Sequence, residues 1–325
     1  MKILFFGSSE FSIPFLEKLC QSSHEIVLVL TGADKQQGRG KKIQPNPVKK
    51  FAAKLGLNYM DTDGFNDRVN SAISKLEFDY LVVVSFGKII PDNILALAGE
   101  KTINVHPSIL PKYRGPSPIS SAILNGDKKT GVTLTKIKKK FDTGDIYFVL
   151  SFTISGNDNK DSIEEKVIKL SAPLLVSLLD LLQKNEFKTY PQSKYGVSYT
   201  KIFKRNDFKI EWFATSPEIA NKVRAFSTEP GSYTTWKGKV IKILSAKTTG
   251  INDLKELQKI PSVNGQIVKA DRDGLIVKCA RDLRPGKSVN INFLQVIELK
   301  PEGKNKMTYM DFINGYRIKP GELFE

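Results

Sequence analysis

Two side chains that could take part in catalysis lie two residues apart in the segment TINVHP, at Asn104 and His106. The segment alternates polar and apolar residues, as a β-strand does, so both side chains should lie on one face. Pro107 cannot donate a hydrogen bond to a neighbouring strand, and the strand should therefore end just after His106. An amide and an imidazole at a strand end could stabilise an oxyanion and move a proton. The alternative is a polar pair that only caps the strand.

A carboxylate follows in the segment FDTGD, between two further predicted strands. If Asp142 reached His106, it would fix the tautomer of the imidazole and raise its pKa. Asp, Thr and Gly are also common turn formers, so this segment alone fits a plain turn. Between the two segments, Ser108–Pro116 is a stiff, proline-containing loop that could line the pocket of a flat ligand or pack as a simple connection.

The elements around these residues alternate in kind over roughly residues 1–180. Unbroken apolar segments such as Lys2–Ser8 and Tyr80–Phe86 are typical of strands covered on both faces. Between them, segments such as Phe11–Cys20 have apolar residues at helical spacing. This alternation predicts a Rossmann-like α/β fold with a doubly wound, mostly parallel sheet. In such a sheet, ligands bind beyond the carboxyl ends of the strands, where the NVH segment should end.

The pattern changes to short strands after a polar linker. These strands are separated by turn residues such as Asp273-Gly274 and Pro285-Gly286. Five short strands of this kind predict a small OB-like β-barrel. The predicted organisation is a catalytic domain at 1–183, a linker at 184–204 and an OB-like C-terminal domain at 205–325.

The composition indicates a basic protein. The 325 residues include 50 Lys and Arg against 34 Asp and Glu, a formal net charge of +16. After residue 190 the counts are 24 and 14, a net charge of +10. A positive electrostatic field of this kind favours binding of a polyanion such as nucleic acid. The alternative is that lysine-rich codon usage raises the net charge with no functional role.

Several classes of protein are disfavoured. Two Cys and two His are too few for a disulfide scaffold or a multi-histidine metal centre. No apolar run approaches the roughly 20 residues needed to span a bilayer, and no signal peptide is recognisable. A GxGxxG dinucleotide fingerprint is absent, which argues against an NAD enzyme. We expect a protein of the bacterial cytosol that acts as a monomer, without a metal or a membrane partner.

Taken together, NVHPSILPKYRGPSPI, Gly126-Asp127 and DTGD resemble the folate-dependent formyltransferases, and the resemblance extends over nearly the whole chain. Those enzymes move a formyl group from 10-formyltetrahydrofolate to an amine. The resemblance implies that Asn104, His106 and Asp142 are catalytic, with direct attack of the amine through a tetrahedral intermediate. It also implies that the folate donor is contacted by Phe86, Gly87, Lys88, Ile89, Ile90, Ser108, Ile109, Leu110 and Pro111.

The segment GRGKK, followed by PNPVK, is similar to the basic loop of the family members that formylate methionyl-tRNA. This similarity implies that Arg39, Lys41 and Lys42 contact the acceptor stem of methionyl initiator tRNA, for translation initiation. By itself, GRGKK fits a solvated basic turn. Relatives that formylate a sugar nucleotide or another small amine, or that hydrolyse the donor, share the NxH…D core and are the alternative. An RNA-binding protein with an inactive transferase fold is the non-enzymatic alternative.

Overall fold

The computed structural model describes residues 1–37, 42–227, 229–249, 261–280 and 293–325. The chain divides into two compact units. The first unit comprises Met1–Pro118, Lys129–Thr153 and Ile163–Lys201, and the second comprises Ile119–Lys128, Ile154–Ser162 and Ile202–Glu325.

The first unit is built on one twisted sheet and a short antiparallel ribbon. Its strands are β1 (Lys2–Gly7), β2 (Glu25–Gly32), β3 (Lys35–Gln37), β4 (Lys42–Gln44), β5 (Tyr59–Thr62), β6 (Tyr80–Val84), β7 (Thr102–His106), β8 (Lys129–Thr135) and β9 (Ile146–Thr153). The ribbon pairs β3 with β4, and the sheet has the order β5-β2-β1-β6-β7-β8-β9. In that order, the first five strands, from β5 to β7, are parallel to their neighbours. The strand β8 pairs antiparallel with β7, and β9 pairs antiparallel with β8. The prediction of a Rossmann-like, mostly parallel sheet is confirmed.

Helices connect or follow these strands, and the first four lie between parallel strands of the sheet. They are α1 (Ile13–Cys20), α2 (Pro47–Lys54), α3 (Asp67–Ser74), α4 (Asp92–Ala98), α5 (Pro118–Leu124) and α6 (Lys160–Gln183). The side chain of Asn66 accepts from the Val69 N–H at 3.1 Å and caps the start of α3. Ile73 of α3 and Ile94 of α4 pack on the sheet beside Phe6, where all three are shielded from water. This packing fixes the strand ends that carry the predicted site.

The second unit contains an antiparallel sheet flanked by helices. Its further elements are α7 (Ser216–Ala225), β10 (Ser232–Trp236), β11 (Lys239–Thr248), β12 (Ile267–Asp271), β13 (Gly274–Lys278), β14 (Phe293–Pro301), β15 (Met307–Thr308) and α8 (Tyr309–Tyr316). The strand order is β10-β11-β14-β13-β12, with β15 paired to β14. The predicted change to an antiparallel β domain is therefore confirmed. The predicted turn at Pro285-Gly286 lies outside the described residues.

Aromatic side chains fill the core of the second unit. Trp212 stacks on Phe324 with ring centroids 5.9 Å apart, and Trp236 meets Phe312 edge-on at 5.6 Å. The last long strand, β14, continues to Pro301, which pairs with Ile241 of β11.

Candidate active site

The predicted catalytic pair lies at the carboxyl end of β7. Asn104 is paired with Thr135 of β8 and His106 with Thr133, so both side chains lie on the same face of the sheet. His106 is buried, with 4% of its surface exposed, whereas Asn104 is half-buried. The strand ends at His106, directly before Pro107, as the sequence predicts.

The carboxylate of Asp142 joins these two side chains. Asn104 Nδ2 donates to Asp142 Oδ1 at 3.3 Å, and the same oxygen lies 3.5 Å from His106 Nδ1. The other oxygen, Oδ2, accepts from the backbone N–H of Gly115 at 2.7 Å. The structure therefore brings together the three side chains that the sequence singled out, and it fixes both oxygens of the carboxylate.

The proton on His106 can be assigned from its partners. Nε2 lies 2.9 Å from the carbonyl oxygen of Tyr113. A carbonyl oxygen only accepts, so Nε2 carries the hydrogen, and in the neutral ring Nδ1 keeps its lone pair. A lone pair facing a carboxylate explains why the distance from Nδ1 to Asp142 Oδ1, 3.5 Å, exceeds that of a strong hydrogen bond.

The pKa of His106 differs from the sequence-based expectation. Burial lowers this pKa, and its effect outweighs the Asp142 carboxylate and the Tyr113 carbonyl, which both raise it. The expected rise was wrong because sequence reasoning counted the carboxylate but not the removal of the ring from water. The neutral imidazole, with Nδ1 free to accept a proton, is therefore favoured at neutral pH.

The loop after His106 is held by hydrogen bonds to β8. Thr133 Oγ1 donates to the Ser108 carbonyl at 2.6 Å and accepts from the Leu110 N–H at 3.1 Å. Ser108 and Leu110 are buried, so their side chains support the loop, whereas Ile109 and Pro111 are partly exposed. Of the predicted folate contacts in this loop, the latter two offer accessible side-chain surface.

The other predicted folate segment, Phe86–Ile90, follows β6. Because β6 and β7 are parallel neighbours, this segment lies at the same edge of the sheet as His106. Phe86 is buried against Phe6, with ring centroids 5.1 Å apart, whereas Ile89 is 68% exposed. The Lys88 ammonium donates to the carbonyl of Asp63. Between Gly87 and Ile90, the backbone makes no hydrogen bond to another backbone group of the described residues, so its polar groups are available to a ligand.

Two glycines shape the loops around Asp142. A Cβ on Gly144 would lie 1.7 Å from the carbonyl oxygen of Lys136, so a side chain there would displace the turn. Gly115 has a φ of +114°, and a Cβ on it would lie 2.8 Å from Thr200 Oγ1. Both positions therefore require glycine for the backbone to approach closely.

Sequence reasoning missed a linker residue that contacts this site. Gln192 Nε2 donates to the carbonyl oxygens of Asp142 at 2.9 Å and Gly144 at 2.8 Å. Its Oε1 accepts from Arg114 at 2.6 Å from Nη2 and 3.2 Å from Nε. Arg114 is 8% exposed. A single Gln in a polar linker carries no sequence signal for such contacts.

Of the three residues predicted to contact tRNA, the structure describes one. Arg39 and Lys41 lie outside the described residues, and Lys42 begins β4. Next to this ribbon, Asn46 Nδ2 donates to the Ser8 carbonyl at 2.9 Å, and Lys49 bridges two carboxylates. In the described ranges, no cluster of three or more His, Cys, Asp or Glu is arranged to hold a metal ion. No helix there has the length and apolar character to cross a membrane.

Similarity to known proteins extends over nearly the whole chain. The formyl transferase family pattern matches residues 1–179, and that of the formyl transferase C-terminal domain matches residues 202–317. A methionyl-tRNA formyltransferase of Dictyoglomus thermophilum is 37% identical over 327 residues, which is 100% of both chains.

Two solved structures share the fold. WlaRD, a sugar 3N-formyl transferase, matches 94% of this chain and 99% of its own at a TM-score of 0.66, with 21% identity. HypX from Aquifex aeolicus matches 99% of this chain with a TM-score of 0.63 and 16% identity. This chain spans about half of HypX, 48% of that chain.

Proposed function

The chain belongs to the formyl transferase family, and we propose that it transfers the formyl group of 10-formyltetrahydrofolate to the amino group of methionyl initiator tRNA. The observation that carries the proposal is the convergence of Asn104 and His106 on the Asp142 carboxylate at the edge of the sheet. Similarity over its full length to a methionyl-tRNA formyltransferase, at 37% identity, supports this acceptor over a sugar nucleotide.

Asn104 would stabilise the negative charge that develops on the formyl oxygen. Its amide has two N–H groups, of which one donates to Asp142 Oδ1. The other can donate to the formyl oxygen as the amine attacks. A donor in this role contributes about 3–4 kcal/mol to the transition state. Because the first N–H is held by a carboxylate, the direction of the second is set before the substrate binds.

His106 would take the proton that the attacking amine loses. Its Nε2–H is committed to the Tyr113 carbonyl, so Nδ1 is the atom that accepts. The imidazolium then donates to Asp142 Oδ1, now a charged partner of opposite sign at close range. Asp142 would thus stabilise the charge on the ring. As the tetrahedral intermediate collapses, the bond between the formyl carbon and the donor's nitrogen would break, and that nitrogen would leave with the proton returned by His106, which releases tetrahydrofolate and restores the neutral imidazole.

The folate donor, when bound, supplies the electrophilic formyl carbon. In the described part of the chain, the backbone groups of Gly87–Ile90 make no hydrogen bond to other backbone groups. Together with the partly exposed Ile109 and Pro111, they fit a flat heterocycle with several donors and acceptors. We assign the pterin to these two segments, which border the end of β7.

The tRNA would be bound by charge. Arg39, Lys41 and Lys42 are our candidates for the acceptor stem, and the net charge of +10 after residue 190 supports binding of the tRNA body by the C-terminal domain. Contacts of this kind position an RNA through its phosphates, whereas shape at the acceptor end provides selectivity.

The test is formyl transfer from 10-formyltetrahydrofolate to methionyl initiator tRNA, with methionyl elongator tRNA and an amino-sugar nucleotide as parallel acceptors. We expect rapid transfer to the initiator tRNA and slow transfer to the other two. Release of formate without transfer, or preferential formylation of the sugar nucleotide, would overturn the proposed acceptor.

A further inference from the structure

The catalytic carboxylate is carried by a residue whose backbone needs external support. Asp142 has a φ of +51°, a left-handed conformation that non-glycine residues rarely adopt. It occupies the turn between β8 and β9, closed by a hydrogen bond from the Lys136 N–H to the Asp145 carbonyl at 2.9 Å. This bond closes the base of the turn, so the orientation of Asp142 within it depends on other contacts.

The side chain of Gln192 supplies those contacts. Its amide N–H groups donate to the carbonyl of Asp142 itself and to that of Gly144, at 2.9 and 2.8 Å. Its oxygen accepts from Arg114. Carbonyls only accept and a guanidinium only donates, so the amide can be oriented in one way only. An amide of this length is the group that satisfies all three partners at once.

Arg114 connects this contact to the other loop of the site. Its neighbours are Tyr113, whose carbonyl accepts from His106 Nε2, and Gly115, whose N–H donates to Asp142 Oδ2. The same stretch pairs with the later part of the linker, since the Arg114 N–H donates to the Ser198 carbonyl at 2.9 Å. The linker therefore contacts both loops that determine where the carboxylate lies relative to the imidazole.

We propose that Gln192 is a positioning residue for formyl transfer, which acts with the buried Arg114 to hold Asp142 in line with His106 and Gly115. The linker between the two domains is then part of the catalytic apparatus and more than a connection. The effect on catalysis rests on the proposed function, whereas the effect on the carboxylate can be tested without any substrate.

The decisive variant is Gln192→Met, which has similar length and no charge but cannot donate to the two carbonyls. Displacing a catalytic group by about 1 Å can cost about 100-fold in rate, so we expect kcat to fall about 10- to 100-fold. The KM values for the folate and for the tRNA should stay within about twofold, because Gln192 contacts neither substrate segment. Gln192→Glu, an isosteric second variant, opposes two carbonyls with a carboxylate and should also lower kcat.

A matched control is Gln21→Met, at the exposed end of α1, where the side chain makes no hydrogen bond with the described residues. It should keep wild-type kcat. Thermal melting of all variants, followed by circular dichroism, shows whether they fold. If Gln192→Met lowers the melting temperature, and kcat and the affinity for both substrates fall together with it, Gln192 serves folding alone and the proposal is overturned.

The carboxylate itself is reported by the titration of His106. The chain has two histidines, so NMR gives two imidazole signals, and His24→Gln assigns them. Asp142 raises the pKa of His106 from 3.5 Å away. A retreat of the carboxylate weakens its attraction for the imidazolium, so this pKa should fall further.

We therefore expect the pKa of His106 to fall in Gln192→Met and to stay unchanged in Gln21→Met. An unshifted His106 in a folded Gln192→Met protein would overturn the positioning role. If the wild-type protein fails to formylate methionyl-tRNA, the proposed acceptor is wrong, but the titration still decides whether Gln192 positions Asp142.

Discussion

Asp142→Asn removes one charge and almost no volume, and its effect follows from the partners of the two oxygens. The Gly115 N–H, 2.7 Å from Oδ2, requires an acceptor, so the new amide oxygen must take that position. The new NH₂ group then faces Asn104 and His106 Nδ1. This group is a donor that faces another donor, the N–H of Asn104. It also donates to His106 Nδ1 and thereby blocks the lone pair that would accept the proton of the attacking amine.

The magnitude follows from the distance between imidazole and carboxylate. At 3.5 Å and an effective dielectric constant of about 20, opposite unit charges attract by about 5 kcal/mol. This attraction is present when Nδ1 has accepted the proton and is lost in the variant. Since about 1.4 kcal/mol corresponds to a factor of ten in rate, kcat should fall about 3000-fold. The KM values should change little, because Asp142 acts on charge that appears during the reaction.

The assay is single-turnover transfer of labelled formyl groups to saturating methionyl initiator tRNA, so that product release does not limit the rate. The matched control is Asp145→Asn in the same turn, whose carboxylate pairs with Lys138 at 2.9 Å on the surface. It should change kcat less than about twofold, because exposed ion pairs contribute about 0–1 kcal/mol. A loss below tenfold in Asp142→Asn, or equal losses in both variants, would refute the reasoning.

Two further predictions concern the stability of the fold. Gly144→Ala should lower the free energy of unfolding by about 1–3 kcal/mol and reduce kcat, because its Cβ would meet a backbone carbonyl at 1.7 Å. Gly64→Ala, whose Cβ meets nothing within 4 Å, is the control, and equal urea midpoints for the two would contradict the prediction. Burial lowers the pKa of both His24 and His106 in the folded protein. Below pH about 6.5 the unfolded chain therefore binds more protons, so the free energy of unfolding should fall as the pH drops from 7 to 5. Replacing both histidines with Gln should reduce this slope, and an unchanged slope would contradict the assignment.

Much of the fold and part of the site could be predicted because their signals are local. The apolar runs of β1 and β6 reflect burial on both faces of a parallel sheet. In TINVHP, alternation placed Asn104 and His106 on one face, and Pro107 marked the strand end. These are properties of neighbouring residues and need no knowledge of the rest of the chain.

What could not be predicted depends on contacts between distant segments. Gln192 is 50 residues from Asp142 in the chain, and its two donors meet backbone carbonyls, which every residue has. The sign of the His106 pKa shift depends on burial, which is decided by the whole unit. The sequence suggested a carboxylate near the imidazole but gave no measure of how far the ring is removed from water.

The partners of Asp142 and His106 divide into two kinds that respond differently to substitution. Asp142 Oδ2 is held by the N–H of Gly115, and His106 Nε2 is held by the carbonyl of Tyr113. These are backbone groups, so a side-chain replacement cannot delete them and can affect them only by moving a loop. Gln192, in contrast, acts through its side chain, which joins the turn that carries Asp142 to the loop that carries Arg114. Substitutions in the linker should therefore reveal how much of the rate depends on loop placement, which substitutions of Asn104 or His106 cannot separate from the chemistry.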